Sequence, residues 1–299
     1  MGKVLMNNFN NMYIISWFGD NEHSKKRYEI HQRQLEWCFS SSLKPVVLAQ
    51  NYRDDQYTNN VEYIKHNGSV LKAIQARNVL LYQFYNSDED FAVFADNDCY
   101  LYSGEKYGAN DKFAEIIRNI PFENFENVDM LIGLDPATSP FTKDLELNKK
   151  NDEVSWRLLP GFIASGFFIL KNLKKHHNKE IYFDENFIKD DGSIIACEDQ
   201  DFPIQLIHEN MGVFICKNLI RKEEGATNST WNNDRDSRRK RTTEGHDFIS
   251  HKFKLPIQKT SGKGSWMKRF KSFNDKLRPQ VLRLNGNFNN HLRSLFEGI

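Results

Sequence analysis

The chain has 299 residues and a formal net charge of +1, which fits one large or two small domains and excludes a small disulfide-stapled scaffold. The balance hides an asymmetry. Lys217 to the C-terminus carries nineteen Lys/Arg against eight Asp/Glu, while residues 1–216 carry 22 against 32, and a basic end of this kind is expected to meet something anionic. No apolar run reaches 18 residues, and no apolar leader with a cleavage site opens the chain. Cys38, Cys99, Cys197 and Cys216 show neither CxxC nor disulfide spacing. The expectation is a protein of the reducing cytoplasm without a transmembrane segment.

In chain order, Met12–Phe18 reads as a buried first strand ended by Gly19-Asp20-Asn21. Tyr28, Leu35, Trp37, Cys38 and Phe39 predict a helix over 25–40. Lys44–Ala49 is a second strand and 61–64 a short third. Ser69 is a candidate cap for a helix that runs to about Tyr85 and breaks at Asn86–Asp90. Phe91–Ala95 is an apolar strand that ends on Asp96-Asn97-Asp98. Residues 111–119 predict a helix, Val128–Leu134 a strand, and 135–152 a polar connection. The second half of Leu159–Lys171 is a strand whose glycines permit close backbone approach. A helix over 199–210 opens on carboxylates, as the helix dipole prefers. Gly212–Cys216 is a late strand, and 221–247, with Arg238-Arg239-Lys240-Arg241, reads as a polar loop. From Ser265 a last helix carries Trp266, Phe270, Phe273 and Leu277 on one side, and Pro279 ends or kinks it. Strands alternating with helices predict an α/β fold with a mixed, mainly parallel central sheet flanked by helices.

Asp96 and Asp98 carry the chemistry. On an extended chain, residues i and i+2 face the same side, here at the C-terminal edge where open α/β sheets keep their ligand crevice. Two hard oxygens there suit Mg2+ or Mn2+, which takes one or two carboxylates and completes its shell with phosphate and water. The competing reading is an ordinary polar strand end.

Several segments in order resemble the GT-A class of nucleotide-sugar-dependent glycosyltransferases, over roughly residues 12–255. Gln75-Ala76-Arg77-Asn78 is similar to that class's Ala-Arg-Asn segment, and Phe94-Ala95-Asp96-Asn97-Asp98 to its DxD motif. Ala164-Ser165-Gly166-Phe167-Phe168-Ile169 looks like the Gly-containing strand lining its donor and acceptor sites. Cys197-Glu198-Asp199-Gln200-Asp201-Phe202 looks like its Glu-Asp pair, and a late His follows. A DxD alone is a weak signal; the ordered set is a stronger one.

The resemblance implies a GT-A domain over 1–255, with a donor half to about 135 and an acceptor half over about 136–255. A basic helical extension over 256–299 would follow. It implies a nucleotide diphosphosugar donor, foremost a UDP-sugar, and Mn2+ or Mg2+. Asp98 would be the main metal ligand, and Asp96 a direct or water-mediated one or a donor contact. His251, with His246 as the alternative, would complete the shell; imidazole suits Mn2+ better than Mg2+. His251 precedes Lys252-Phe253-Lys254, basic residues that the resemblance directs at the diphosphate. Arg77, Gly166 and Lys254 would meet the donor. Asp199 would be the general base of an inverting reaction, and Glu198 would hold the acceptor.

The acceptor does not follow from a fold class. Lys/Arg clusters at 238–241 and 268–271, interleaved with aromatics, suit the phosphates and unstacked bases of DNA. Bacteriophages carry glycosyltransferases acting on hydroxymethylated DNA bases, so DNA in the host cytoplasm is the expected acceptor. The alternative is an anionic membrane surface, with surface polysaccharide or glycolipid as product. Outside this class stand an inactive carbohydrate- or nucleic-acid-binding relative and a nucleotidyltransferase. Gly19-Asp20-Asn21 is too poor in glycine for the phosphate loop the latter would need.

Overall fold

The computed structural model describes residues 11–18, 22–102, 128–134, 158–160, 166–209, 211–223 and 235–253. These form β1 (Asn11–Trp17), α1 (Glu22–Ser40), β2 (Lys44–Gln50), β3 (Glu62–His66), α2 (Ala73–Tyr85), β4 (Phe91–Asp96) and β5 (Cys99–Tyr102). They continue with β6 (Met130–Leu134), β7 (Leu158–Pro160), β8 (Phe167–Lys171), α3 (Leu173–His177), α4 (Glu198–His208), β9 (Val213–Glu223) and α5 (Arg235–Lys252).

The strands make one mixed sheet in the order β3-β2-β1-β4-β8-β6-β9-β5, with β7 on β9. Strands β1 to β4, β6 and β9 share one direction, and β5, β7 and β8 oppose it. The chain moves outward from β1 through α1 to β2 and β3, then returns through α2 to β4 on the other side of β1. Strand order reverses there, and such a switch leaves a crevice beyond the C-terminal strand ends. Ile15 pairs with Asp96, so the crevice opens at Ser16–Trp17 and Asp96–Asn97.

Central strands are buried on both faces, which is why they read as continuous apolar runs. Tyr13, Phe94, Ile132 and Phe168 join the core with Leu80 of α2, Phe202 of α4 and Ile249 of α5. Their neighbours Met12, Ile14, Val93, Leu131 and Ile169 join the core with Ile30, Leu35 and Cys38 of α1. Rings stack across three adjacent strands: Tyr13 on Phe94 at 5.2 Å and 16°, and Phe94 on Phe168 at 5.0 Å and 11°. Such pairs add about 0.5–1.5 kcal/mol beyond area burial, and here they tie β1, β4 and β8 together beneath the crevice.

Three sequence expectations are corrected. Of the expected loop at 221–247, residues 221–223 belong to β9 and 235–247 to α5. Among the α5 positions whose burial is described, Thr242, Gly245, His246, Ile249 and Ser250 are buried, spaced i, i+3, i+4, i+7 and i+8. That is a helix face, but Ile249 is its one large apolar residue, so hydrophobic periodicity does not reveal it. Strand β4 stops at Asp96, and Asn97–Asp98 turn the chain into β5, so the period-2 argument does not extend to Asp98. Ser69 is not the cap of α2, whose N-cap position is Lys72. The expected helices at 111–119 and from 265, the polar connection at 135–152 and the extension at 256–299 lie outside the described residues. No described helix is long and apolar enough to cross a membrane.

At the edge of the sheet opposite the crevice, the buried Asp129 carboxylate accepts from His177 Nε2 at 2.7 Å and the Gly212 N–H at 2.9 Å. Lys171 Nζ lies 3.3 Å away. Burial alone would raise this carboxyl, but His177, Lys171 and Gly212 outweigh it and hold its pKa below the ordinary value. A carboxyl lowered in the folded state stabilises above its unfolded pKa and loses that contribution as pH falls through the folded one. Asp129→Asn should therefore lower the melting temperature at pH 7, and the gap to the unsubstituted protein should close below about pH 4. A gap that stays constant from pH 7 to pH 3 would contradict the assignment.

Candidate active site

Helix α2 packs on the sheet through Ile74, Leu81 and Phe84, all fully buried. Arg77 shares that i, i+3, i+7 face, so packing aims it at the end of β4. Its Nη2 donates to both carboxylate oxygens of Asp96, at 3.3 and 3.2 Å, and its Nη1 to Glu198 Oε1 at 3.1 Å. Side-chain exposure is 11% for Arg77, 14% for Glu198 and 37% for Asp96, so two of the three are largely dry. The Phe183 ring lies 5.3 Å from the guanidinium carbon, a cation–π contact. Burial pushes the Arg77 pKa down, but Asp96, Glu198 and Asp199 outweigh it and raise it overall. One guanidinium thus unites a residue from the end of β4 with the first turn of α4. It is a buried tie.

The turn after β4 is held from several sides. The Asp96 N–H donates to the Gly166 carbonyl at 3.0 Å, and Gly166 has φ +64°, a conformation that favours glycine. Gly166 also lines a small, partly open pocket with Arg77, Asp96, Tyr13 and Phe168. Asn97, 5% exposed, donates to Ser16 Oγ at 3.4 Å, and Ser16 accepts from the Tyr52 hydroxyl. Gln34 of α1, fully buried, donates to the carbonyls of Asp96 and Cys99, both at 2.8 Å. Asp98 is buried beside the Cys99 thiol. Gln34 was not among the expected site residues. Its signal is a polar side chain on the apolar face of α1, at i+3 from His31, and buried polar groups demand partners.

Glu198 and Asp199 open α4, both half-buried. Cys197 before them has φ +78°, uncommon for a residue with a side chain, and its carbonyl accepts the N–H of Gln200 and Asp201 at 3.0 Å each. Helix α5 closes over this turn at Gly245. A Cβ there would lie 1.9 Å from the Ala196 carbonyl oxygen, so only glycine lets the helix seat. Farther along α5, Lys252 Nζ bonds Asp184 at 2.7 Å and Asp201 at 2.9 Å. Lys252 therefore anchors α5 to α4, and Asp201 receives it together with Gln205 Nε2.

Five residues separate His246 from His251, about 140° around a helix with 3.6 residues per turn. His246 is buried and His251 exposed. Lys254 lies outside the described residues. Among those residues, no group of three or more His, Cys, Asp or Glu side chains comes together to hold a metal. The expected Asp96–Asp98–His251 shell is not assembled there. Asp96 and Asp98 still place two carboxylates within three residues at the β4 turn, the ligand type that Mg2+ or Mn2+ takes when substrate phosphate and water fill the remaining positions.

No protein-family profile and no curated protein matches the sequence. Among solved structures, the chain is similar to GalNAc-T7 with UDP, GalNAc and Mn2+, at TM-score 0.48 and 10% identity, over 93% of this chain and 58% of that one. It is similar to a mutant Drosophila β1,4-galactosyltransferase 7 in complex with manganese, UDP-Gal and xylobiose, at TM-score 0.35 and 13% identity, over 72% and 71%. It is also similar to a Bacillus anthracis protein assigned as a glucose-1-phosphate thymidylyltransferase, at TM-score 0.42 and 8% identity, over 80% and 96%. At these scores the likenesses carry no argument about activity.

Proposed function

We propose that this chain is a metal-dependent glycosyltransferase that moves a sugar from a nucleotide diphosphosugar, foremost a UDP-sugar, to a hydroxyl acceptor with inversion. The observation that carries the reading is the Arg77 tie. It joins Asp96 of the β4 turn and Glu198 of the α4 turn at the crevice where strand order reverses. A carboxylate segment for a donor and a second acidic segment, joined by one fixed cation, are groups that glycosyl transfer requires.

Asp96 and Asp98 would hold a divalent ion, which supplies Lewis-acid neutralisation of the leaving diphosphate. Arg77 keeps the Asp96 and Glu198 carboxylates apart and oriented with its rigid fork. Glu198 orients the acceptor hydroxyl, and Asp199 takes its proton. The acceptor oxygen then bonds to the anomeric carbon while the carbon–oxygen bond to the diphosphate breaks, and the diphosphate leaves with the electron pair. We assign this chemistry to a domain ending near residue 255, followed by a basic extension.

For the acceptor we propose a hydroxymethylated base in DNA. The basic excess from Lys217 onward supports it. So does the position of Arg238–Arg241 on α5, one turn before the Gly245 contact with Ala196, two residues ahead of Glu198. A panel of nucleotide sugars screened with and without Mn2+ tests the reading. One donor should raise the melting temperature only with Mn2+, by about 2.7 kcal/mol of stabilisation at a hundredfold excess over Kd. It should also transfer to hydroxymethylated duplex in a steeply salt-dependent manner. Consumption of a nucleoside triphosphate and a sugar phosphate would instead move the chain to the nucleotidyltransferases. Transfer that ignores DNA would remove the acceptor assignment alone.

A further inference from the structure

Helix α1 contributes a buried polar pair, His31 and Gln34, of which Gln34 bonds the Asp96-Asn97-Asp98 turn. Gln34 is fully buried, and its Nε2 meets two carbonyl oxygens at 2.8 Å, one on each side of that turn. Two carbonyls accept and cannot donate, so the amide nitrogen must face them and Oε1 must face away. There it meets His31 Nδ1 at 3.1 Å. Oε1 is an acceptor, so Nδ1 carries the hydrogen. His31 is 1% exposed, and burial lowers its pKa to about 4, which keeps the ring neutral. A neutral ring with its hydrogen on Nδ1 leaves Nε2 as a bare acceptor, and among the described residues that atom has no hydrogen-bond partner. An unmet buried acceptor is destabilising, because it has given up its bond to water for nothing. A residue that served packing alone would sit there more stably as an apolar side chain.

We propose that Gln34 is a positioning residue for the carboxylate turn and that His31 fixes the orientation of the Gln34 amide. The relay runs from His31 Nδ1–H to Gln34 Oε1, and from Gln34 Nε2–H2 to the carbonyls of Asp96 and Cys99. It sets the distance between the last residue of β4 and the first of β5, and so the bend on which Asp96 and Asp98 are mounted. Outer partners of this kind tune a metal site through the ligands they hold, typically by 10- to 100-fold in affinity. The inference rests on the proposed role of Asp96 and Asp98 as metal-holding carboxylates, but the relay itself is a matter of backbone geometry.

Two readouts separate these claims: Mn2+ affinity from water-proton relaxation, without donor or acceptor, and amide hydrogen exchange at Asn97, Asp98 and Cys99. Gln34→Leu keeps the volume and removes both donors. It should quicken exchange at the turn and weaken Mn2+ binding roughly tenfold or more. His31→Leu should do the same to a smaller degree. His31→Asn, which retains an N–H donor near the Nδ1 position, should restore most of the affinity. Loss of packing alone would not follow that order. A folded Gln34→Leu with unchanged Mn2+ affinity and unchanged turn exchange overturns the proposal, and so does His31→Asn behaving like His31→Leu. If Gln34→Leu does not fold, the two His31 variants decide. If the unsubstituted protein binds no Mn2+ while the variants loosen the turn, the metal reading falls and the relay stands.

Discussion

Replacing Arg77 by leucine is expected to lower folding stability by about 3 kcal/mol, near the lower end of what breaking a buried ion pair costs. The guanidinium is the shared partner of Asp96 and Glu198, and its side chain is only 11% exposed. Removing it leaves Glu198, 14% exposed, without its cation in a dry setting. Asp96, at 37%, can recover water, which keeps the effect from reaching the upper range. Against a typical total of 5–15 kcal/mol, such a loss is large. Arg77→Lys separates charge from geometry. An ammonium is a point charge and cannot hold two carboxylates with a planar fork. Lysine should thus recover part of the stability while leaving Asp96 and Glu198 unlinked. Urea unfolding of the three proteins measures this, and Arg77→Leu within about 0.5 kcal/mol of the original would mean that the tie does not exist in solution.

Asp199→Asn is expected to reduce sugar transfer by about 10²- to 10⁴-fold, the usual contribution of a positioned general base. Asparagine keeps size and shape in the first turn of α4 but cannot take a proton from the acceptor. Asp199 is half-buried, follows Glu198 in the first turn of α4, and adds to the field at Arg77. Stability should change little, because a helix-terminal carboxylate contributes only about 0.3–1 kcal/mol through the helix dipole. Donor-stabilised melting should survive, since the acceptor side alone is altered. Near-normal turnover in this variant, or a product of retained anomeric configuration, would remove Asp199 from the mechanism.

Both substitutions probe residues that the sequence makes visible. Arg77, Asp96, Glu198 and Asp199 stand out in the chain because charged groups border apolar runs, and the order of the segments is informative. Gln34 and Gly245 do not stand out. Gln34 acts through two carbonyls sixty-two and sixty-five residues away, and nothing local announces a backbone partner so distant. Gly245 looks like a helix breaker, and the polar composition of 235–252 conceals the helix altogether. Its necessity appears only when the Ala196 carbonyl is seen to occupy the space of a missing Cβ.

The sequence by itself determined the alternating elements, the strand and helix runs of the sheet's first half, and the carboxylates at the end of β4. All of these follow from local periodicity, which is written into neighbouring residues. Only the tertiary structure decided that β4 ends at Asp96, so that Asp98 sits in a turn and not on the same strand face. Only it decided that one arginine binds both acidic segments, that Lys252 anchors helices and does not turn to the cleft, and that α1 reaches under the turn. Each of these depends on contacts between segments far apart in the chain. Such contacts are selected by packing the whole molecule and leave no periodic trace in any one part of it.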